Sequence, residues 1–427
     1  LSEISRLEES EFPYEDPRFA LLRIKGRFVA FQEQLNSLQD DAEPEVLKDV
    51  ANTALDSLVR YLPILGFILR STNVRNGFEL VGPLRRLARQ LLQADATHGA
   101  KGAAKNEQVD VHLLLSSEWE YMPLFHSARY LPGYVMIGLP AHESSNPLLF
   151  PLCGHELGHA LWANGRESQY SILLTGTLND EFSSKWDDIK KAFPQFSGHT
   201  SPPTGIQNTL FRGSGEGVSF PEVVALVTQW ATKQAEETFC DFVGLRLFGR
   251  AYYLAFTHIL FPGNIGKRLP VYPNSDQRAG YMHDAIKHFK YPEDGVDVSV
   301  FDRRADWELP SDRLLMGFAD NALKSMIPKL LADADETANR AGIPRVDEGS
   351  VERVLARYKH AVPVQGESLP AILGAGWRVF ENENFWQYSP HLTDNRVMVL
   401  KELMLKNIEL IEVEEIQKRA DRHAAKD

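Results

Sequence analysis

Cysteine is scarce: the 427-residue chain has two, Cys153 and Cys240. That excludes a disulfide framework and the paired cysteines of a zinc finger. Both are expected to be buried small hydrophobes in a reducing compartment. Long apolar runs are missing as well. The longest, Tyr61-Leu62-Pro63-Ile64-Leu65-Gly66-Phe67-Ile68-Leu69, falls far short of the roughly 20 residues a spanning helix needs, so no membrane span is expected. Positive charge is in deficit, with 46 Lys and Arg against 58 Asp and Glu, for a formal net charge of −12. Such an acidic chain has no general affinity for nucleic acid or anionic membrane. There is no Gly-rich phosphate loop, no long heptad and no internal repeat. The acidic, polar start, Leu1-Ser2-Glu3-Ile4, lacks a secretory pattern, and a cytoplasmic protein is expected. What is present, 43% apolar and 24% charged residues, is an ordinary globular composition long enough for a large core.

One stretch carries chemistry: Leu152-Cys153-Gly154-His155-Glu156-Leu157-Gly158-His159-Ala160-Leu161-Trp162. On a helix, His155 and His159 lie one above the other and can share one Zn²⁺. Glu156 then faces the open side of the metal, where a carboxylate can take a proton from water. Asn146-Pro147 reads as an N-cap followed by proline, opening a mostly apolar helix from Leu148 to Trp162. Gly158 costs helix propensity inside that helix, which predicts close approach of a neighbouring backbone. The β-formers from Tyr134 to Leu139 predict a strand just upstream.

An open catalytic zinc site needs a third protein ligand. The best segment is Ala235-Glu236-Glu237-Thr238-Phe239-Cys240-Asp241, within a helix predicted from about Pro221 to Phe248. Glu237 and Asp241 are four apart, so Glu237 can bind metal while Asp241 accepts the spare N–H of a ligand histidine. Glu236 is the competing third ligand, although position 240, four residues on, is not acidic. H-E-x-x-H followed by E-x-x-x-D resembles the gluzincin metallopeptidases. The resemblance implies His155, His159 and Glu237 as zinc ligands, Glu156 as general base and Asp241 as the carboxylate behind a histidine. It also implies that the 134–139 strand lines the cleft and pairs with substrate backbone.

Further on, Val271-Tyr272-Pro273 and Arg278 look like the His-Pro and arginine of the HtpX-like and CaaX-prenyl-protease branch, with tyrosine in place of histidine. A tyrosine hydroxyl can donate to a developing oxyanion as an imidazole does, so Tyr272 is the candidate donor, with Tyr281 and His283 as alternatives. The resemblance spans residues 134–282 and carries none of that branch's transmembrane segments.

The remaining chain reads as helix. Helices are predicted from Phe19 to Leu38, from Pro44 to Leu69 with a break or bend at Pro63, and from Pro83 to Leu92, where Arg85, Arg86 and Arg89 form a solvated face. A polar run from Asp95 to Asn106 predicts a flexible boundary, and a Gly/Ser/Pro-rich run at 197–217, containing His199, a lid or surface loop. One helix is predicted over Leu178–Phe193, and further helices over Leu314–Arg340, Val351–Val362 and Leu392–Ala425. The expected fold is α+β and mostly helical: an N-terminal helical region (1–108), a zincin-like core with a small mixed sheet (109–300) and a C-terminal helical region (301–427). The expected function is zinc-dependent hydrolysis of peptide bonds in a peptide or protein substrate. An endopeptidase is favoured because the G-x-M-E-N element of the large aminopeptidases is absent. The rival is a degenerate gluzincin scaffold acting as a binding or regulatory protein with a structural zinc.

Overall fold

The computed structural model of the protein describes residues 1–38, 43–72, 77–99, 110–118, 122–123, 131–202, 219–260, 266–301 and 303–424. It is mostly helical with one small mixed sheet, as the sequence predicts. The N-terminal part comprises α1 (Ser2–Glu8), α2 (Asp16–Ser37), α3 (Pro44–Arg70) and α4 (Val81–Gly99). The sheet follows, with β1 (His112–Glu118), β2 (Met122–Pro123) and β3 (Tyr134–Pro140). Next come α5 (Cys153–Leu161), α6 (Glu167–Ser184), α7 (Trp186–Ala192), α8 (Phe220–Phe248), α9 (Arg250–Leu260) and α10 (Ser275–Phe289). The chain closes with α11 (Pro310–Arg340), α12 (Glu348–Tyr358), α13 (Leu369–Glu381), α14 (Pro390–Asp394) and α15 (Arg396–Ala424). No helix among the described residues is long and apolar enough to cross a membrane.

Helix α8 runs through the middle. Ser219 and Glu222 close a capping box at its start, with Pro221 in the first turn, and Gly249 at φ 57° ends it. From Ala235 to Phe248 every residue but Glu237 is buried, so this half of the helix is enclosed on all sides. Helix α5 lies against it at very short range. A Cβ on Gly158 would sit 2.6 Å from the Cα of Cys240, and one on Gly154 2.9 Å from the Cα of Gly244. The close approach expected at Gly158 is therefore present, and a second glycine one turn earlier extends it. The run before α5 departs from the prediction. Pro147–Leu152 is a 3₁₀ helix, because Pro151 lacks the N–H and crowds the carbonyl that an α-turn would require.

The sheet order is β1-β3-β2, with β1 parallel and β2 antiparallel to β3. This corrects the expectation that the 134–139 strand is an open edge for substrate. It is the central strand, paired along its whole length with β1 and at Ile137 and Gly138 with β2, and all seven of its residues are buried. Its side chains alternate between two cores. Val135, Ile137 and Leu139 join the main one, while Tyr134 and Met136 join a smaller core with Leu21, Ile24, Tyr61 and Phe67 of α2 and α3. The main core runs without interruption from Leu80 to Ile408, taking residues from all three predicted segments.

Other departures are local. Helix α3 continues through Pro63. The helix predicted over 178–193 breaks at Lys185, between α6 and α7, where the backbone leaves the helical region (φ −112°, ψ 28°). Helix α4 continues to Gly99 into the predicted boundary, and residues 100–106 lie outside the described ones, as do 203–217 of the predicted loop. Helices α1, α10 and α13 were not anticipated. The arginines of α4 are partly exposed, as a solvated face requires, but each is also ion-paired. Arg85 pairs with Asp16 (3.1 Å), Arg86 with Glu412 and Arg89 with Asp110 (3.4 Å), joining α4 to both ends of the chain and to the start of β1.

Gly158→Ala tests the α5–α8 contact. The added methyl has Cys240 backbone in its way, so unfolding free energy should fall by about 1–3 kcal/mol in a urea titration. Undiminished stability would mean that the two helices separate at no cost.

Candidate metal centre

The short α5–α8 distance places the side chains of Glu236, Glu237, Cys240 and Asp241 opposite both histidines. His155 Nδ1 lies 2.9 Å from Asp241 Oδ1, and His159 Nδ1 lies 3.0 Å from Glu236 Oε1. Each imidazole thus has a carboxylate acceptor behind it, which fixes the proton on Nδ1 and turns the Nε2 lone pair outward. Both Nε2 atoms face Glu237, at 3.4 Å for His155 and 3.8 Å for His159. The rings meet edge to face, 4.8 Å apart.

Asp241 is itself held from two directions. Arg278, one turn into α10, gives it Nε at 2.6 Å and Nη2 at 2.9 Å, with Nη2 also 3.4 Å from Glu237. Tyr252 of α9 donates its hydroxyl to Asp241 Oδ1 at 2.6 Å. Burial raises the Asp241 pKa, but the Arg278 charge outweighs it and holds this carboxyl well below its usual range. For His155, burial pulls the other way, yet hydrogen bonds to Asp241 and Glu237 raise its pKa to about 10. A metal at this site must displace that proton. Glu237 is lowered against its own burial by the hydrogen bond from His155 and by the surrounding positive charge.

Glu156 is 5% exposed, and its Oε2 has no hydrogen-bond partner among the described residues. Burial pushes its pKa up, only partly offset by the two histidines. A buried carboxylate oxygen without a protein partner suits a ligand, ion or water bound in its cavity. Glu156 lines a cavity of about 610 Å³ together with His155, His159 and Glu237. Leu152, Phe256, Ile259, Leu260 and Val271 form its apolar wall.

Tyr272 lines the same cavity and is 38% exposed. Its carbonyl accepts from the buried Arg268 (3.0 Å), which fixes the backbone, and its ring lies 5.8 Å from the Arg278 guanidinium. The alternatives are displaced by the geometry. Tyr281 packs against the main core and His283 pairs with Glu293 at 2.9 Å; neither lines the cavity. His199 is not among the lining residues either.

His155, His159 and Cys240 form a group that could hold a metal, with ligand atoms within 4.8 Å of one another. Cys240 is the poorer third partner. Its thiol is fully buried, and burial, reinforced by nearby carboxylates, pushes its pKa well above normal, so a metal would have to displace its proton. Glu237, facing both Nε2 atoms, has the better donor chemistry. Glu236 is not turned that way: it takes His159 Nδ1 on one oxygen and Lys233 (2.7 Å) on the other. Its role behind His159 was missed in the sequence, although two histidines meant to present Nε2 to a metal would call for two acceptors. Tyr252 was missed because nothing in its local sequence aims it at Asp241. Compared with protein-family models, curated proteins and solved structures, the chain matches none.

The two carboxylates behind the histidines should behave alike. Glu236→Gln and Asp241→Asn should each weaken zinc affinity by roughly ten- to a hundredfold in chelator competition, and Glu237→Ala by more. Full zinc affinity in Glu237→Ala would assign the third position to Cys240.

Proposed function

We propose that this chain is a zinc-dependent peptidase of gluzincin type, with His155, His159 and Glu237 holding the metal. The observation that carries the reading is the combination of two outward Nε2 atoms converging on Glu237 with the unpartnered, buried Oε2 of Glu156 in the same cavity. The packing of the H-E-x-x-H helix against the E-x-x-x-D helix, beside a small mixed sheet, supports a zincin-like core. Zinc bound here would acidify water and polarise a carbonyl as a Lewis acid.

The chain's own residues supply the rest. Asp241 and Glu236 keep the Nδ1 protons in place, so both imidazoles present a lone pair and neither ring can turn. Arg278 and Tyr252 hold Asp241 in its ionised form. Glu156 is the general base: burial raises its proton affinity, which suits it to accept a proton from the attacking water and return it to the leaving amine. Tyr272, in the wall of the cleft, is the donor to the oxyanion of the tetrahedral intermediate. A structural zinc in a non-catalytic scaffold would leave Glu156 without a use, and would need Cys240 as its fourth ligand, with the thiol proton displaced.

Glu156→Gln should retain zinc and lose hydrolysis of unfolded protein substrates; full activity in that variant sinks the mechanism. Tyr272→Phe should keep fold and zinc, with kcat lower by about a hundredfold, roughly 2.7 kcal/mol, and little change in KM. A wild-type rate in Tyr272→Phe would assign the ring to packing.

A further inference from the structure

A larger cavity, about 860 Å³, lies between α6 and α8 and meets the metal cleft at Gln229 and Lys233, which line both. Along α6 it is lined at every turn by a small polar residue, Ser171, Thr175 and Asn179, and along α8 by Thr228 and Thr232. Pro221, Val224 and Ala225 supply its accessible apolar surface, Phe182 and Phe220 being almost wholly buried. Thr232 is 6% exposed, and its hydroxyl has no hydrogen-bond partner among the described residues. Leaving a buried hydroxyl unsatisfied is costly, so its position in the wall of a cavity points to a ligand that completes it. Thr175 donates its hydroxyl to the Ser171 carbonyl (2.7 Å) and so turns an acceptor toward the cavity.

We infer that this cavity is the substrate groove and that it takes an extended polypeptide segment leading to the metal cleft. The inference rests on the peptidase reading. Pro221 to Lys233 of α8 lines the cavity, a length of roughly 18 Å at the helical rise, enough for about five extended residues. Polar side chains one turn apart on a helix recur every 5.4 Å or so, close to the roughly 6.6 Å between alternate residues of a strand. A main chain laid along α6 and α8 therefore meets a hydrogen-bonding side chain at nearly every second residue. Charge is confined to Glu167 and Lys233, and Lys233 is tied to Glu236. Recognition is thus of peptide groups and of apolar side chains against Pro221, Val224 and Ala225, with little demand on substrate charge.

The test uses full-length, zinc-loaded Glu156→Gln protein carrying the photocrosslinker p-benzoylphenylalanine in place of Ala225, an exposed residue of the groove, or of Ile172, which is 73% exposed on α6 and does not line it. The probe is reduced, carboxamidomethylated lysozyme, an unfolded polypeptide. Crosslinking at position 225 and not at 172 is expected. Absence of an adduct at 225, or equal adducts at both, overturns the groove. Thr232→Val, which removes only the hydroxyl, should weaken probe binding by about three- to tenfold, while its urea midpoint stays equal or rises, since an unpaired buried polar group is lost. Unchanged affinity in that variant also overturns the assignment. Crosslinking at 225 without hydrolysis by the unsubstituted protein would keep the groove and remove the peptidase. Hydrolysis without crosslinking would do the reverse.

Discussion

The contact on which the site depends is the near-touching of two helix backbones. Gly154 and Gly158 on α5 face Gly244 and Cys240 on α8 at distances that leave no room for a Cβ. Only at that separation can side chains as short as Asp241 and Glu236 reach the Nδ1 atoms of the helix opposite. A helix pair at the usual 8–10 Å axis separation would leave these groups apart. The glycines weaken α5 as an isolated helix, and burial against α8, α4 and the sheet compensates.

Close approach also concentrates charge. Glu156, Glu236, Glu237 and Asp241 lie in or behind one cleft, largely removed from water, with Arg278 and Lys233 as their cationic neighbours. Buried ion pairs add little stability over apolar packing, and removing one partner costs several kcal/mol. Such a cluster is poor core design and good site design: each charge but the one on Glu156 is assigned a partner. Arg278 has a further constraint in the Phe256 ring, 4.8 Å from its guanidinium, so α9 and α10 both fix its position.

The outer architecture keeps these two helices in place. Helices α2 and α3 cover one face of the sheet, and the main core covers the other. Helix α11 packs along α8 from behind, where Arg246 meets Asp335 at 2.6 Å and Arg166 meets both Asp95 and Asp333. The salt bridges of α4 reach α2 and α15. The C-terminal helices therefore act as walls of the same core that surrounds the site, and Trp377 of α13 donates to the Leu148 carbonyl at 2.7 Å just ahead of the histidine helix.

What the sequence determined by itself was local and periodic. A four-residue spacing puts His155 over His159 and Glu237 over Asp241 on any helix. Even the close approach at Gly158 follows from a glycine in an otherwise good helix. Tertiary structure alone decided which carboxylate serves which histidine. Glu236 and Glu237 are neighbours on the same helix, and only the rotation of α8 against α5 sends one behind His159 and the other between the two Nε2 atoms. It also decided that β3 is central, because strand order depends on pairing between distant segments and leaves no trace in the alternation of one strand. Tyr252 reaches Asp241 for the same reason: Gly249 turns α9 back along α8, and the direction of a chain after a turn is set by what it packs against.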